Sequence, residues 1–104
     1  MIEININTNI WTGQCVQDSI WERLLPTQIP IDLLTPAKSI KACNGKGFSF
    51  AGVQYYSECF CGNEEPPTDR ILETSRCTYG CVGDRAQRCG GSQILMNVYK
   101  IMNK

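Results

Sequence analysis

A chain of 104 residues is long enough for one domain and too short for two, and a core of that size usually needs covalent or metal staples. Seven cysteines in this length point to a disulfide scaffold, and so to an oxidising compartment: secreted, cell-surface or lumenal. Ten basic and ten acidic side chains cancel without forming long blocks, which argues against nucleic-acid binding, and no apolar run nears the roughly 20 residues that cross a bilayer.

Residues 1–10 (MIEININTNI) alternate apolar and polar side chains in part and read as an N-terminal extension or edge strand, weakened by asparagines. They lack a basic region followed by an apolar one, so any export signal or anchor is expected outside this sequence, with Met1 read as the start codon of an excised domain. Trp11 to Cys15 enters the sheet. From Gln17 to Leu34 the pattern is irregular and interrupted by Pro26 and Pro30, giving a loop with one short helical turn near Ser19 to Arg23. The helix signal is clearest over Thr35 to Cys43: Thr35 can cap, Pro36 suits the first helical position, and Gly45 or Gly47 can end it.

Strands fit Phe48 to Tyr55 and Glu58 to Gly62, with Tyr56 and Ser57 at the turn between them. Residues 63–76 carry Pro66-Pro67 and several charges and read as an exposed loop. Cys77 to Ser92 is rich in glycine and cysteine, hence irregular and cross-linked, and Ile94 to Ile101 forms the last strand. The sum is an α+β domain: one main helix packed on a short antiparallel sheet, with long loops, over residues 11–101, and a tail at 102–104.

The cysteine spacing constrains how helix and sheet meet. Cys59 and Cys61, two apart on a strand, point to one face; Ser39 and Cys43, four apart on the helix, also share a face. A cysteine at 39 would allow two helix-to-strand bridges, and with serine there only one can form, which accounts for the odd count. Farther on, a Cys81–Cys89 bridge would close a small loop and free Cys77 to reach Cys15, but spacing alone leaves this one connectivity among many.

The run AGVQYYSECFCGN (Ala51 to Asn63) resembles the signature of the WSC domain, in which an A-G-V-x-Y strand runs into E-C-x-C-G. CVGDRAQRCGG (Cys81 to Gly91) is similar to the family's C-x-G-D…Q-x-C-G-G stretch, and Val98-Tyr99 to its closing strand. Gly13, Cys15 and Asp18 match its G-C-Y-x-D opening, with Gln14 inserted. The resemblance covers residues 11 to about 100 and departs at Ser39, where the family has an eighth cysteine. It implies the pairing Cys15–Cys77, Cys43–Cys61 and Cys81–Cys89, with Cys59 left as a buried reduced thiol near Ser39. It further implies a fold similar in outline to PAN and apple modules. The role that follows is carbohydrate binding or wall sensing, within a larger secreted or membrane-anchored protein such as a wall-stress sensor, a glycan-active enzyme, a co-receptor or a glycosyltransferase.

Catalytic and metal chemistry find little support. Zinc sites favour paired C-x2-C knuckles, whereas the spacings here are C-x-C, C-x3-C and C-x7-C, and the chain has no histidine to ligate a metal or to serve as base to a serine or cysteine nucleophile. Glu58, Glu64, Glu65, Asp69 and Asp84 could supply a glycosidase pair, but small loop-rich domains rarely build the cleft that chemistry needs. No cofactor is expected. Binding rests on aromatics, since sugar rings stack their C–H faces on flat side chains while polar neighbours take the hydroxyls. The aromatic set is Trp11, Trp21, Tyr55, Tyr56, Phe60 and Tyr79. Tyr55, in phase with Ala51 and Val53, is expected in the core. The candidate glycan site therefore comprises Trp21, Tyr56 and Tyr79 with Gln54, Glu58, Asn63, Asp84 and Arg85. The alternative is a protein–protein interaction module, and a disulfide-rich inhibitor or effector is a third class.

Overall fold

Thr35 sits in extended conformation and its Oγ1 accepts the Lys38 N–H at 3.3 Å, so the capped helix α1 begins at Pro36 and runs to Gly45. The chain turns away at Lys46 and at Gly47, whose φ of 87° is one that glycine adopts without cost. The buried face of α1 carries Ser39, Ile40 and Cys43. These assignments come from a computed structural model that describes residues 12–92 and 94–101. The edge strand expected over 2–10, Trp11 and the tail at 102–104 lie outside the described residues.

The helix packs on a six-stranded antiparallel sheet. Its strands are β1 (Thr12–Gln17), β2 (Thr27–Ile29), β3 (Phe50–Gln54), β4 (Glu58–Gly62), β5 (Ile71–Leu72) and, after a separate hairpin of β6 (Gly80–Cys81) and β7 (Asp84–Arg88), β8 (Leu95–Lys100). The spatial order is β2-β4-β3-β8-β1-β5. β3 is buried at every position because both faces of the sheet are covered. On one face Ala51, Val53, Cys59 and Cys61 meet Ile40, Cys43 and Leu34. On the other, Val16, Phe50, Phe60, Met96 and Val98 pack under Leu25.

Leu25 is held there by two features. A Cβ at Gly52 would meet Leu25 Cδ1 at 2.9 Å, and one at Gly62 would meet Leu25 Cδ2 at 2.9 Å, so neither position admits a side chain unless Leu25 moves. The segment leading to it is tied down by Asp18, a buried carboxylate that accepts from Arg23 Nη1 at 2.8 Å and from the Leu24 N–H at 2.9 Å. Where a helical turn was expected near 19–23, the Ser19 hydroxyl accepts the N–H groups of Trp21 and Glu22 and the chain simply bends.

The inserted Gln14 has a structural consequence. The β1–β8 register shifts between Thr12 and Gln14, so Gly13 (φ 86°) forms a bulge that absorbs the extra residue. Its carbonyl accepts from Asn97 Nδ2 at 2.9 Å, and Asn97 Oδ1 accepts from the Gly90 N–H at 2.7 Å.

The disulfides are Cys15–Cys77, Cys43–Cys61 and Cys81–Cys89, the pairing the family resemblance implies. Cys59 is the buried free thiol, 2.9 Å from Ser39 Oγ. Other expectations need correction. The segment 17–34 contains β2, and 63–76 contains β5 and two 3-10 turns at Thr68–Arg70 and Thr74–Arg76. The strand expected over 48–55 spans only Phe50–Gln54, because Tyr55 and Tyr56 leave the extended region.

Candidate functional site

Gln54 and Glu58 are the last register pair of the β3–β4 hairpin, which leaves Tyr55, Tyr56 and Ser57 to turn the chain. Tyr55 and Tyr56 both lie in the left-handed region, at φ 51° and 67°, an unfavourable state for side chains of this size. The neighbouring loop clamps them. The Tyr56 N–H donates to Cys89 O and the Tyr56 carbonyl accepts from the Val82 N–H, both at 3.1 Å, and the Cys81–Cys89 bridge ties those two contacts into one small ring. Gly90 lets the loop lie flush, since a Cβ there would come within 2.8 Å of the Gln54 Cα.

This clamp gathers three tyrosines. The Tyr79 and Tyr56 rings stack at 4.2 Å and 3°, and Tyr55 stands edge-on to both, at 5.5 Å from Tyr56 and 6.2 Å from Tyr79. Tyr55, expected in the core, is 58% exposed: the strand ends one residue before it, so the alternation that would have buried it stops at Gln54. The Tyr79 phenol is pushed up, first by desolvation and then by its tyrosine neighbours, with a hydrogen bond to Ser92 opposing.

Between this cluster and the bend at Ile20 lies a shallow groove of about 280 Å³, lined by Ile20, Gln54, Tyr55, Glu58, Tyr79, Gly91, Ser92 and Ile94. Gln54 is only 5% exposed and its Oε1 has no hydrogen-bond partner. A buried acceptor without a protein partner, on a residue that lines a groove, is a place for a water or ligand donor once the side chain yields.

Of the residues singled out from the sequence, Gln54, Glu58 and Tyr79 line this groove. Tyr56 backs Tyr79, and the Arg85 guanidinium lies 6.0 Å from the Tyr56 ring centre. Trp21 follows Ile20 and is 91% exposed. Asp84 instead caps its own turn, accepting from the Ala86 N–H at 3.0 Å and Gln87 Nε2 at 2.9 Å, bonds that hold its carboxyl below the usual range. Asn63 lies past the other end of β4, where it accepts from the Ser49 N–H and lines a different groove with Arg23, Leu24 and Phe48. Ile20, Tyr55 and Ser92 line the site without having been singled out for it; the doubled tyrosine at a hairpin turn was the available signal.

The sulfurs of Cys43, Cys59 and Cys61 lie within 4.8 Å of one another. Cys43 and Cys61 are oxidised together and offer no thiolate, and burial pushes the Cys59 thiol up against a smaller opposing effect from Ser39, so this cluster does not suit a metal.

Helix, two-faced sheet and bridged loops define a small disulfide-stapled α+β domain with a tyrosine-walled surface groove. The model of the WSC domain matches residues 13–91, and the chain belongs to the WSC family. Xylosyltransferase oxt of Drosophila melanogaster is 42% identical over 98 residues, covering 92% of this chain and 11% of that protein. A WSC domain-containing protein of Arthroderma benhamiae is 33% identical over 90 residues, 86% of this chain and 12% of its own length. Human Kremen protein 2 is 35% identical over 69 residues, 65% of this chain and 15% of the relative. The chain thus spans 11% to 15% of the length of these relatives. Among the described residues no helix is long and apolar enough to cross a membrane.

Proposed function

We propose that this WSC domain is a non-catalytic carbohydrate-binding module of a secreted or cell-surface protein. Its glycan sits in the groove between Ile20 and the tyrosine cluster. The observation that carries this reading is the unpartnered Oε1 of Gln54, a residue that lines a groove with tyrosine walls. A sugar ring supplies both complements, a C–H face for Tyr55 or Tyr79 and a hydroxyl donor for Gln54. Three disulfides and the family's occurrence in large modular proteins suit an extracellular setting.

A direct test is affinity electrophoresis of the oxidised domain through gels containing β-glucan, mannan, xylan or chitin, beside a Tyr55→Ala variant. Saturable retardation by at least one polysaccharide is expected, weakened about fivefold in the variant, which corresponds to about 1 kcal/mol. Free migration through the whole panel by the folded domain counts against the reading. A protein ligand is the second reading, favoured by the exposed Ile20, Trp21 and Tyr55.

A further inference from the structure

The charge of the groove is one-sided: Glu58 is the one ionisable carboxylate among its described lining residues, and no cation is among them. Gln54 and Glu58 are direct cross-strand partners, so their side chains leave the same face of the hairpin about 5 Å apart at Cβ. Gln54 presents an unpartnered Oε1, and a carboxylate presents acceptors only. The Tyr79 and Ser92 hydroxyls that also line the groove are uncharged. No lysine or arginine is among the described residues that line the groove. Arg85 lies over Tyr56, which backs the cluster and is not a wall of the groove.

A neutral sugar satisfies this arrangement by donating hydroxyl protons to Gln54 and Glu58. A uronic acid or sulfated sugar brings a negative charge toward the Glu58 carboxylate, where no cation among the described lining residues compensates. We propose that the Gln54–Glu58 pair is a charge filter, which makes the groove selective for uncharged glycans and excludes acidic ones. The proposal rests on the carbohydrate reading and adds the ligand class to it.

Isothermal titration of the oxidised domain with laminarihexaose, cellohexaose and chitohexaose, and with C6-carboxylated forms of the two glucans, tests it. At least one neutral glucan hexamer is expected to bind at least tenfold more tightly than its carboxylated form. Glu58→Gln, checked for three intact bridges by mass, is expected to bring that ratio to within about threefold. Equal or tighter binding of the carboxylated glucan by the native chain, or a ratio unchanged in Glu58→Gln, overturns the filter and leaves carbohydrate binding standing. Binding of chitohexaose alone overturns the filter too, because the site would then read the acetamido group. Failure of every sugar to bind the folded domain overturns the carbohydrate reading, and the filter with it.

Discussion

Substituting Ser39 by cysteine should restore the family's fourth bridge, to Cys59, and its yield can be worked from the structure. The Ser39 oxygen already lies 2.9 Å from the Cys59 sulfur, and the longer C–S bond shortens that gap toward bonding distance. The two positions are twenty apart in sequence, which on the chain-entropy model alone would contribute about 3.3 kcal/mol. The Cys43–Cys61 bridge changes this, because the unfolded chain is already closed nearby. The shortest ring then runs from 39 to 43, across that bridge, and from 61 back to 59, about eight residues, and the contribution falls to about 2.5 kcal/mol. Loss of the Ser39–Cys59 hydrogen bond removes roughly 0.5 kcal/mol more. A net gain of about 2 kcal/mol should raise the thermal midpoint by about 10 °C for a domain of this size. Intact mass should show about two further hydrogens lost, and thermal melts of the two proteins give the shift. A fourth bridge by mass with an unchanged or lower midpoint would refute the nested-loop reasoning. Two persistent thiols would refute the geometry.

Three further outcomes are expected. Asp18→Ala leaves the Leu24 N–H and Arg23 without their partner and should cost about 3 kcal/mol in urea unfolding, whereas a loss under about 1 kcal/mol would mean Leu25 seats itself without Asp18. Gly52→Ala drives a methyl into Met96 and Leu25 and should destabilise by about 1–3 kcal/mol, with all three bridges retained by mass. Burial pushes the Tyr99 phenol from 10.0 up to about 12. The unfolded chain therefore loses this proton first as pH rises. The contribution is full below about pH 10 and falls away toward pH 12, by about 1.4 kcal/mol per pH unit at most. Phenolate absorbance should show one tyrosine ionising last, a step absent in Tyr99→Phe.

What was legible in the sequence tracks how much signal each element carries. Thr35-Pro36 and Asn44-Gly45-Lys46-Gly47 punctuate both ends of the helix, and it forms between them. Cys59 and Cys61, spaced to share a face, both turn toward Cys43, and β4 has the expected bounds. β2 and β5 are three and two residues long and carry no periodicity to detect. Tyr55 was misplaced because counting in twos assumes the backbone stays extended, and a tyrosine does not announce φ 51° as glycine or asparagine would. The same residue decides the site: with Tyr55 in the core, the groove would lose a wall. Asn63 is near Glu58 in sequence, yet the strand between them carries it to the opposite end of the hairpin.

The left-handed tyrosines also tie stability to the site. Two such residues cost about 1–2 kcal/mol each relative to an ordinary turn. The Cys81–Cys89 bridge, whose ends are eight positions apart, contributes about 2.5 kcal/mol on the chain-entropy model, and the two hydrogen bonds to Tyr56 add about 1 kcal/mol each. The bridge and the two bonds together, about 4.5 kcal/mol, cover a strain of about 2–4 kcal/mol at the hairpin turn. Without the bridge, the favourable course for Tyr55 is to continue the strand with its ring turned toward the sheet face, which would remove one wall of the groove. Reducing this one bridge should therefore weaken the proposed glycan binding, read by affinity electrophoresis, before it unfolds the domain, because the core beneath α1 is held separately by Cys43–Cys61.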